Sequence, residues 1–266
     1  MVNLKLLKAF LPVILAGLLV LTACAPAGPE LSRDTLVQVS TIDAVMQGIY
    51  DGVLTFGELK RYGDFGIGTV EALDGEVIGF DGRYWQIRAD GKVYEITDGM
   101  KTPFASVTFF SADRQLALPA GLDMATLEKY LDSRLPSGNM LYAIRIDGSF
   151  SYMKTRSVPA QPKPYPPLTE VTKNQPVFEF RDIEGTIAGF RAPPYVKGIN
   201  VTGYHLHFLT KDGKAGGHVL DFTTRDGTVL IDDTPDFLIK LPPPDNTFYR
   251  IDLSRDLSAD VRRAEK

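Results

Sequence analysis

All three histidines of this 266-residue chain lie within fourteen positions, in the stretch GYHLHFLTKDGKAGGHVLDF. They are His205, His207 and His218. Histidine is the commonest metal ligand among protein side chains. Three neutral imidazoles that leave one coordination position open are typical of catalytic zinc sites, although Fe²⁺, Mn²⁺, Ni²⁺ and Cu²⁺ also bind imidazole. We therefore predict that these three residues hold a divalent metal, with Zn²⁺ as the first candidate.

A β-hairpin would bring the three imidazoles together. His205 and His207 point to the same side of a strand, because side chains alternate between faces with a period of two. If Asp212-Gly213 forms the two-residue loop of a hairpin, His218 lies directly opposite His207. Opposed residues have Cβ atoms about 4.5–5.5 Å apart, so the three rings would face one point. Gly216-Gly217 could instead form a bulge and shift this register by one residue.

Short β-prone runs and turn residues surround this hairpin. Asp-Gly occurs three times between residues 74 and 91, each time between two such runs, which predicts a β meander. Residues 40–52 and 123–135 carry apolar side chains at helical spacing behind polar caps, and residues 140–158 predict a strand pair. The expected fold class is α+β, with two β-rich domains, mostly antiparallel or mixed sheets and a few helices.

A proline-rich connection divides the chain into two parts. Five of the ten residues in PAQPKPYPPL (159–168) are proline, which cannot continue the interior of a sheet. We therefore predict an N-terminal α+β domain over residues 36–160. A C-terminal α+β domain, which binds the metal, is predicted over residues 161–266.

The first residues have the pattern of an export signal. Lys5 and Lys8 precede an apolar run that is short for a membrane span, and LTAC follows it. LTAC resembles a bacterial lipobox, in which Cys24 is lipidated. We predict a lipoprotein-type signal peptide over residues 1–23 and a tether over 24–35. The chain would then be anchored to a membrane outside the cytoplasm, or secreted; an ordinary signal or an uncleaved anchor is the alternative.

Composition excludes several classes of protein. Cys24 is the only cysteine, so a disulfide within the mature chain, a cysteine nucleophile and a Cys-rich zinc site are all excluded. The formal net charge is −4 and becomes −6 when residues 1–23, with two lysines and no acidic residue, are removed. We expect no nucleic-acid partner for such an acidic chain, and contact with a membrane only through the lipid anchor. A Ser-His-Asp hydrolase is disfavoured because no G-x-S-x-G motif occurs.

Several long motifs, in order, resemble the α-acetolactate decarboxylase family. They are TFGELKRYGDFGIGTVEALDGEVIGFDGRYWQIRADGK, TPFASVTFF, KTRSVPAQPKPYPPL and the histidine stretch, and they cover the chain from about Thr41 to its end. The resemblance implies a two-domain α+β fold, a homodimer and a metal, usually zinc, that the three histidines hold. It also implies an activity: decarboxylation of 2-acetolactate, a 2-hydroxy-3-keto acid, to (R)-acetoin, the step before butanediol.

The same motifs suggest four further site residues. Glu76 in LDGEVIGF and Arg156 in KTRSVPAQPKPY match catalytic residues of the family, and Thr69 in GIGTVEAL matches a threonine near the substrate, which Arg156 also binds. Glu265 in RRAEK matches a second active-site glutamate. Judged without the family, each charged residue fits an exposed surface position, and a glutamate next to the C-terminus is usually frayed surface.

The implied chemistry is loss of CO₂ from a β-keto acid with a metal as the electron sink. A metal with open positions acts as a Lewis acid and stabilises an enediolate, Arg156 suits the substrate carboxylate, and Glu76 or Glu265 supplies the proton. A non-enzymatic zinc-binding lipoprotein of the envelope is the main rival hypothesis. A cupin-type metal-dependent oxygenase or isomerase is weaker, because a cupin places a glutamate soon after its second histidine and none lies between His207 and His218.

Overall fold

This computed structural model describes residues 31–265. These residues contain fourteen strands and five short α-helices, joined by loops and 3₁₀ helices. The strands are β1 (Thr35–Val39), β2 (Leu54–Thr55), β3 (Phe65–Thr69), β4 (Glu76–Phe80), β5 (Arg83–Ile87), β6 (Val93–Glu95), β7 (Lys101–Thr102), β8 (Phe104–Thr108), β9 (Arg114–Ala117), β10 (Leu141–Arg156), β11 (Val177–Ala192), β12 (Gly203–Thr210), β13 (Gly216–Thr234) and β14 (Asp236–Lys240). The helices are α1 (Ile42–Met46), α2 (Phe56–Leu59), α3 (Met124–Asp132), α4 (Leu168–Val171) and α5 (Ser258–Glu265). Short 3₁₀ helices cover Glu71–Leu73, Thr172–Asn174, Pro194–Val196 and Thr247–Arg250. The predicted signal peptide (1–23), Cys24 and most of the tether (24–35) lie outside the described residues.

One sheet has seven strands, in the order β14-β1-β8-β3-β4-β5-β6. β1 and β14 run parallel, whereas the other neighbours run antiparallel, so the sheet is mixed. β2 and β7 form a separate antiparallel pair. Asp81-Gly82 forms the predicted two-residue hairpin loop, because Phe80 pairs directly with Arg83. The other two Asp-Gly pairs lie in longer loops before β4 and after β5.

The second sheet closes on itself. Its order is β10-β11-β12-β13-β9, and β10 also pairs with β13, so four strands form a ring with β9 alongside. All of these pairs are antiparallel. A buried cluster that includes Phe150, Phe208 and Phe222 joins α3 to these strands. The α+β class with mixed and antiparallel sheets, predicted from the sequence, is confirmed.

β10 is one continuous strand of 16 residues, so the strand pair predicted over residues 140–158 is wrong. Gly148 pairs with Gly185 of β11 on one side and with Gly227 of β13 on the other. A Cβ atom on Gly148 would lie 2.6 Å from the carbonyl oxygen of Asp226. Glycine therefore allows three strands to approach closely at this point and does not turn the chain.

The proline-rich connection does not separate the two large sheets. The predicted boundary after residue 160 falls between β10 and β11, which are paired neighbours in the five-stranded sheet. β14, near the other end of the chain, pairs with β1 in the seven-stranded sheet. The described residues from Ser32 onward form one compact unit by their contacts. The division into two domains stays a prediction, and the sheets themselves do not divide at that residue.

Three of the helices, α1, α4 and α5, pack together in one apolar cluster. Thr41 caps α1, because its side chain accepts a hydrogen bond from the amide of Ala44; of the two polar residues that begin this segment, Ser40 and Thr41, it is Thr41 that caps the helix. One apolar cluster combines residues of α1, α4 and α5 with side chains from the loops and from β8; its buried members are Ile42, Val45, Met46, Tyr50, Leu73, Phe104, Val158, Leu168, Val171, Val201, Leu257, Val261 and Ala264. These contacts hold the last residues of the described chain against the sheets. None of the described helices is long and apolar enough to cross a membrane.

Candidate metal centre and active site

The histidine hairpin has the register that the sequence predicts. His207 of β12 pairs with His218 of β13, and Phe208 pairs with Gly217. The loop is longer than predicted, because β12 ends at Thr210 and β13 begins at Gly216. The amide of Thr210 donates to the carbonyl of Ala215 (2.9 Å), which continues the same register into the loop. The glycine pair therefore does not shift the histidines relative to one another.

The three imidazole rings surround one point. Their centroids lie 5.0–5.3 Å apart, and one ring nitrogen of each lies within 4.8 Å of the others. His205 is 6% exposed, and His207 and His218 are each 1% exposed. Within residues 31–265, this is the only group of three or more His, Cys, Asp or Glu side chains close enough to hold one metal ion.

Hydrogen bonds to the backbone fix which ring nitrogen is free in two of the three histidines. Nδ1 of His207 lies 2.7 Å from the carbonyl oxygen of Val77, and Nε2 of His218 lies 3.0 Å from that of Glu265. A carbonyl only accepts, so each of these nitrogens carries the proton. The opposite nitrogens, Nε2 of His207 and Nδ1 of His218, are buried without a hydrogen-bond partner among the described residues. Such unpartnered lone pairs fit a metal ion.

All three histidines are held in the neutral form that metal binding requires. Burial, together with the nearby charge of Arg156, lowers the pKa of His205 to about 3. Burial is also the main reason that the pKa values of His207 and His218 lie well below the ordinary value of histidine. A neutral imidazole offers a metal ion a lone pair without competition from a proton.

Arg156 lies beside the histidines, because β10 pairs Arg156 directly with His218. Its guanidinium is 3% exposed and contacts two buried glutamates from distant parts of the chain. Nη1 donates to Oε1 of Glu76, and Nη2 lies 3.3 Å from Oε2 of Glu265. Nη2 also donates to the carbonyl oxygen of Ala264 (3.1 Å). The structure thus brings together Arg156, Glu76 and Glu265, as the family motifs suggest.

Both glutamates reach the histidine cluster. Oε2 of Glu76 lies 3.4 Å from Nε2 of His207, and Oε2 of Glu265 lies 3.4 Å from Nε2 of His205. Burial raises the pKa of Glu76 to about 7, although the charge of Arg156 opposes this shift. Burial likewise raises the pKa of Glu265. Two carboxyl groups with raised pKa values beside neutral imidazoles can either complete a metal site or carry a proton.

Glu265 is not the frayed surface residue that its place near the C-terminus would suggest, since it is 7% exposed. The two other glutamates near Glu76 in sequence have local roles. Glu58 accepts hydrogen bonds from Thr55 in the capping box of α2, and Glu71 accepts from the amide of Gly52. Only Glu76 of these three contacts Arg156.

Thr69 supports the glutamate that pairs with it across the hairpin of β3 and β4. Thr69 is opposite Glu76 in the register, and its hydroxyl donates to the carbonyl of Gly75 (2.7 Å). This bond fixes the backbone immediately before Glu76. Thr69 also lines the small cavity beside the histidines. Its contact with a substrate stays a prediction.

Apolar side chains and backbone groups complete the site, and the sequence did not identify them as functional. Ile42, Val45, Leu73, Phe104, Val158 and Leu168 line the cavity together with the polar residues. The carbonyls of Val77 and Glu265 set the orientation of two histidines. No residue-type pattern marks a backbone carbonyl as an acceptor for a distant side chain.

Comparisons with known proteins identify the family to which the chain belongs. A family profile described as Alpha-acetolactate decarboxylase matches residues 36–255. A protein of that name from Methanosarcina mazei is 48% identical over 241 residues, which cover 90% of this chain and 83% of the relative. One from Bacillus subtilis is 43% identical over 233 residues, which cover 86% of this chain and 90% of the relative.

Solved structures give the same result. The crystal structure of α-acetolactate decarboxylase from Bacillus subtilis matches with a TM-score of 0.85 and 43% identity, covering 87% of this chain and 99% of that chain. A structure from Staphylococcus aureus, described as a protein of unknown function similar to α-acetolactate decarboxylase, matches with a TM-score of 0.83 and 33% identity, covering 87% and 100%. This chain belongs to the α-acetolactate decarboxylase family of enzymes.

Proposed function

We propose that this enzyme decarboxylates 2-acetolactate to (R)-acetoin, and so supplies acetoin for butanediol formation. One observation carries the proposal most directly: His205, His207 and His218 face one point beside a buried arginine that lies between two carboxyl groups. This arrangement supports a site for a small anionic substrate and a divalent metal. The relatives named α-acetolactate decarboxylase supply the substrate class.

The donor set supports a divalent metal at the three histidines. The unpartnered nitrogens of His207 and His218 and the neutral state of all three rings suit Zn²⁺, and other divalent ions that bind imidazole also fit. Such an ion, when bound, supplies Lewis acidity that stabilises the negative charge left on the substrate after CO₂ departs. Glu76 and Glu265 are near enough to the histidines to assist in holding it.

Arg156 is the proposed anchor for the substrate carboxylate. Its guanidinium is always charged and presents donors in a planar fork that matches a carboxylate. The surrounding protein already compensates this buried charge with Glu76 and Glu265. The substrate carboxylate would therefore compete with one of the glutamates, and the displaced glutamate would be free to act elsewhere in the site.

The proton that replaces CO₂ comes from Glu76 or Glu265 in this proposal. A carboxyl group donates a proton near neutral pH only if its pKa is raised, and burial raises the pKa of both. The apolar side chains of Leu73, Phe104 and Val158 line the cavity and limit the polar surface around this proton. Delivery of the proton to one face of the substrate would give a single enantiomer of the product.

The experiment is an acetoin assay with purified mature chain and racemic 2-acetolactate, before and after removal of metal with a chelator. We expect (R)-acetoin from the metal-replete protein, loss of activity on chelation and recovery when Zn²⁺ is returned. Protein that binds zinc at the three histidines but yields no acetoin would support the rival hypothesis, a zinc-binding protein without catalytic activity.

We also propose that the enzyme is exported and anchored through Cys24, and that it acts as a homodimer. The export signal and lipobox in residues 1–24 support the first statement. The second is supported by β14, which lies at the edge of the seven-stranded sheet with Phe237, Leu238 and Ile239 only partly buried. Cys24→Ala should abolish incorporation of radiolabelled lipid, and light scattering should give twice the mass of the mature chain.

A further inference from the structure

The last turn of α5 ends inside the candidate metal centre and makes two hydrogen bonds there through its backbone. The carbonyl of Ala264 accepts from Nη2 of Arg156 at 3.1 Å. The carbonyl of Glu265 accepts from Nε2 of His218 at 3.0 Å. The last carbonyls of a helix have no partner within the helix, so they are available to side chains of the site. A cationic partner such as Arg156 is also favoured by the negative C-terminal end of the helix dipole.

The hydrogen bond to Glu265 decides which nitrogen His218 offers. A neutral imidazole carries its proton on one nitrogen and a lone pair on the other. With the proton of His218 held on Nε2, the lone pair lies on Nδ1, which is buried and has no hydrogen-bond partner among residues 31–265. Nδ1 is also the nitrogen that faces the cluster, since it lies 3.6 Å from Oε2 of Glu265.

We propose that the backbone carbonyl of Glu265 is a positioning group that fixes the tautomer of His218, so that α5 forms part of the metal site. The inference rests on the proposed metal site. It assigns to Glu265 a role separate from that of its carboxyl group. Such outer hydrogen bonds commonly set the orientation and basicity of a histidine ligand.

His207 provides an internal comparison, because a different part of the fold holds it in the opposite tautomer. Its Nδ1 donates to the carbonyl of Val77 in β4, and its Nε2 is the unpartnered nitrogen. Changes at the end of α5 therefore leave the hydrogen bond of His207 in place. The two histidines should respond differently to any change confined to the last residues of the chain.

Packing explains why the last turn of α5 lies beside Arg156 and His218. Val261 and Ala264 are buried in a cluster with Ile42, Val45 and Leu168. This apolar face directs the last turn toward Arg156 and His218. The side chain of Glu265 adds an ion pair with Arg156 at 3.3 Å. The last described residues, Ala264 and Glu265, are thus held both by apolar contacts and by the site itself.

Long-range ¹H–¹⁵N spectra of metal-free protein with ¹⁵N-labelled histidine test the proposal. The chain has only three histidines, so six ring nitrogens must be assigned. We expect His218 to be protonated at Nε2 and His207 at Nδ1 in the wild type. A wild-type spectrum with His218 protonated at Nδ1 would overturn the proposal before any variant is made.

Two variants separate the backbone of Glu265 from its side chain. Glu265→Gln removes the negative charge but retains the carbonyl, and we expect His218 to keep its proton on Nε2. In a chain that ends at Arg263, we expect His218 to lose this preference while the signal of His207 persists and reports that the site is folded. An unchanged tautomer of His218 in that shortened chain, with His207 intact, contradicts the proposal.

Metal affinity gives a second readout that needs no substrate. Loss of an outer hydrogen bond typically weakens metal binding about 10–100-fold. We therefore expect the chain that ends at Arg263 to bind Zn²⁺ about 10–100-fold more weakly than Glu265→Gln in chelator competition. Equal affinities would show that the carboxylate alone matters and would overturn the role of the carbonyl. Neither readout depends on acetolactate, so the proposed activity could fail while this inference holds.

Discussion

Arg156 and His218 are direct neighbours across the pair of β10 and β13, and His218 is at the same time the partner of His207 in β12. A candidate metal ligand and the buried cation that compensates two carboxyl groups therefore share one rung of the five-stranded sheet. Gly217, immediately before His218, lies against the backbone of Arg156. A substitution that displaces either strand at this rung should therefore alter both metal binding at His218 and the position of the Arg156 guanidinium.

Gly217→Ala should disrupt this rung. Gly217 has a φ of +133°, and a Cβ atom there would collide with the carbonyl oxygen of Arg156. Because neither backbone can move without shifting its strand, we expect the variant to lose at least about tenfold in zinc affinity, as when a group that orients a metal ligand is lost. Chelator competition measures the affinity, and calorimetry measures the stability of the variant.

Gly213→Ala is the matched control. Gly213 also has a positive φ, of +67°, but a Cβ atom there would meet nothing within 4 Å. It should lower the free energy of unfolding by about 1–2 kcal/mol, the cost of the left-handed conformation, and leave zinc binding unchanged. Full zinc affinity in Gly217→Ala, equal to that of this control, would contradict the description of the rung.

Arg156→Lys should retain the charge but lose the planar fork. Loss of one charge-assisted hydrogen bond to the substrate costs about 1.5–3 kcal/mol, or about a 10- to 150-fold fall in kcat/KM. Steady-state kinetics with 2-acetolactate measure the effect. Wild-type kcat/KM in this variant would mean that the substrate carboxylate binds elsewhere.

Arg156→Met should lower the free energy of unfolding. It leaves Glu76 and Glu265 without a buried cation, and removing one partner of a buried ion pair typically costs about 3–5 kcal/mol. We expect a matching fall in the free energy of unfolding in urea. The pKa of Glu76 should also rise above its value of about 7, because the charge of Arg156 lowers it in the wild type. A variant as stable as the wild type would argue against a buried, compensating role of Arg156.

Single variants of the two glutamates should show which of them donates the proton. Glu76→Gln and Glu265→Gln each remove one carboxyl group that contacts Arg156 and a histidine. Loss of the proton donor should lower kcat by about 10²–10⁴-fold and erode the enantiomeric excess of acetoin. Chiral gas chromatography measures the product of each variant. If both variants keep wild-type kcat and configuration, neither glutamate delivers the proton.

Asp232 should make stability depend on pH. It is 1% exposed, its Oδ2 has no hydrogen-bond partner among the described residues, and burial raises its pKa to about 7. An unfolded aspartate titrates near pH 3.9, so between about pH 4 and 7 the folded state keeps a proton that the unfolded state has released. This contribution to stability is complete below about pH 4, falls between about pH 4 and 7, and is lost once the pH has risen through 7.

Asp232→Asn should therefore gain stability over the wild type as pH rises. We expect the difference in Tm between variant and wild type to be at least about 2–4 °C larger at pH 8 than at pH 4, which corresponds to at least about 1 kcal/mol for a domain of this size. Scanning calorimetry at both pH values measures it. Asp236→Asn, at an exposed position on β14, is the control and should show no such change. An equal difference at both pH values for Asp232→Asn would contradict the prediction.

The geometry of the histidine hairpin could be predicted from residues close together in the sequence. Alternation along β12 and pairing across the turn place His205, His207 and His218 on one face, and this outcome did not require the exact loop length. Capping by Thr41 and the hairpin at Asp81-Gly82 were predictable for the same reason, since each depends on residues a few positions apart.

Contacts between distant parts of the chain were beyond local rules. Gly148 follows an aspartate, as turn glycines often do, yet it lies within a strand because Gly185 and Gly227 are its neighbours. The burial of Glu265 depends on the packing of α5 against α1 and α4, which no local pattern specifies. Family motifs, not spacing, identified Glu76, Arg156 and Glu265. The backbone acceptors of His207 and His218 had no signal in the sequence.

Acetoin formation as a function of bound zinc tests the central claim most directly. Metal-free mature chain is titrated with Zn²⁺, and the zinc content and the rate of (R)-acetoin formation from 2-acetolactate are measured in the same samples. We predict that the rate rises in proportion to bound zinc, saturates at one zinc per chain and disappears in His207→Ala. A folded chain that binds one zinc through these histidines and forms no acetoin would contradict the account.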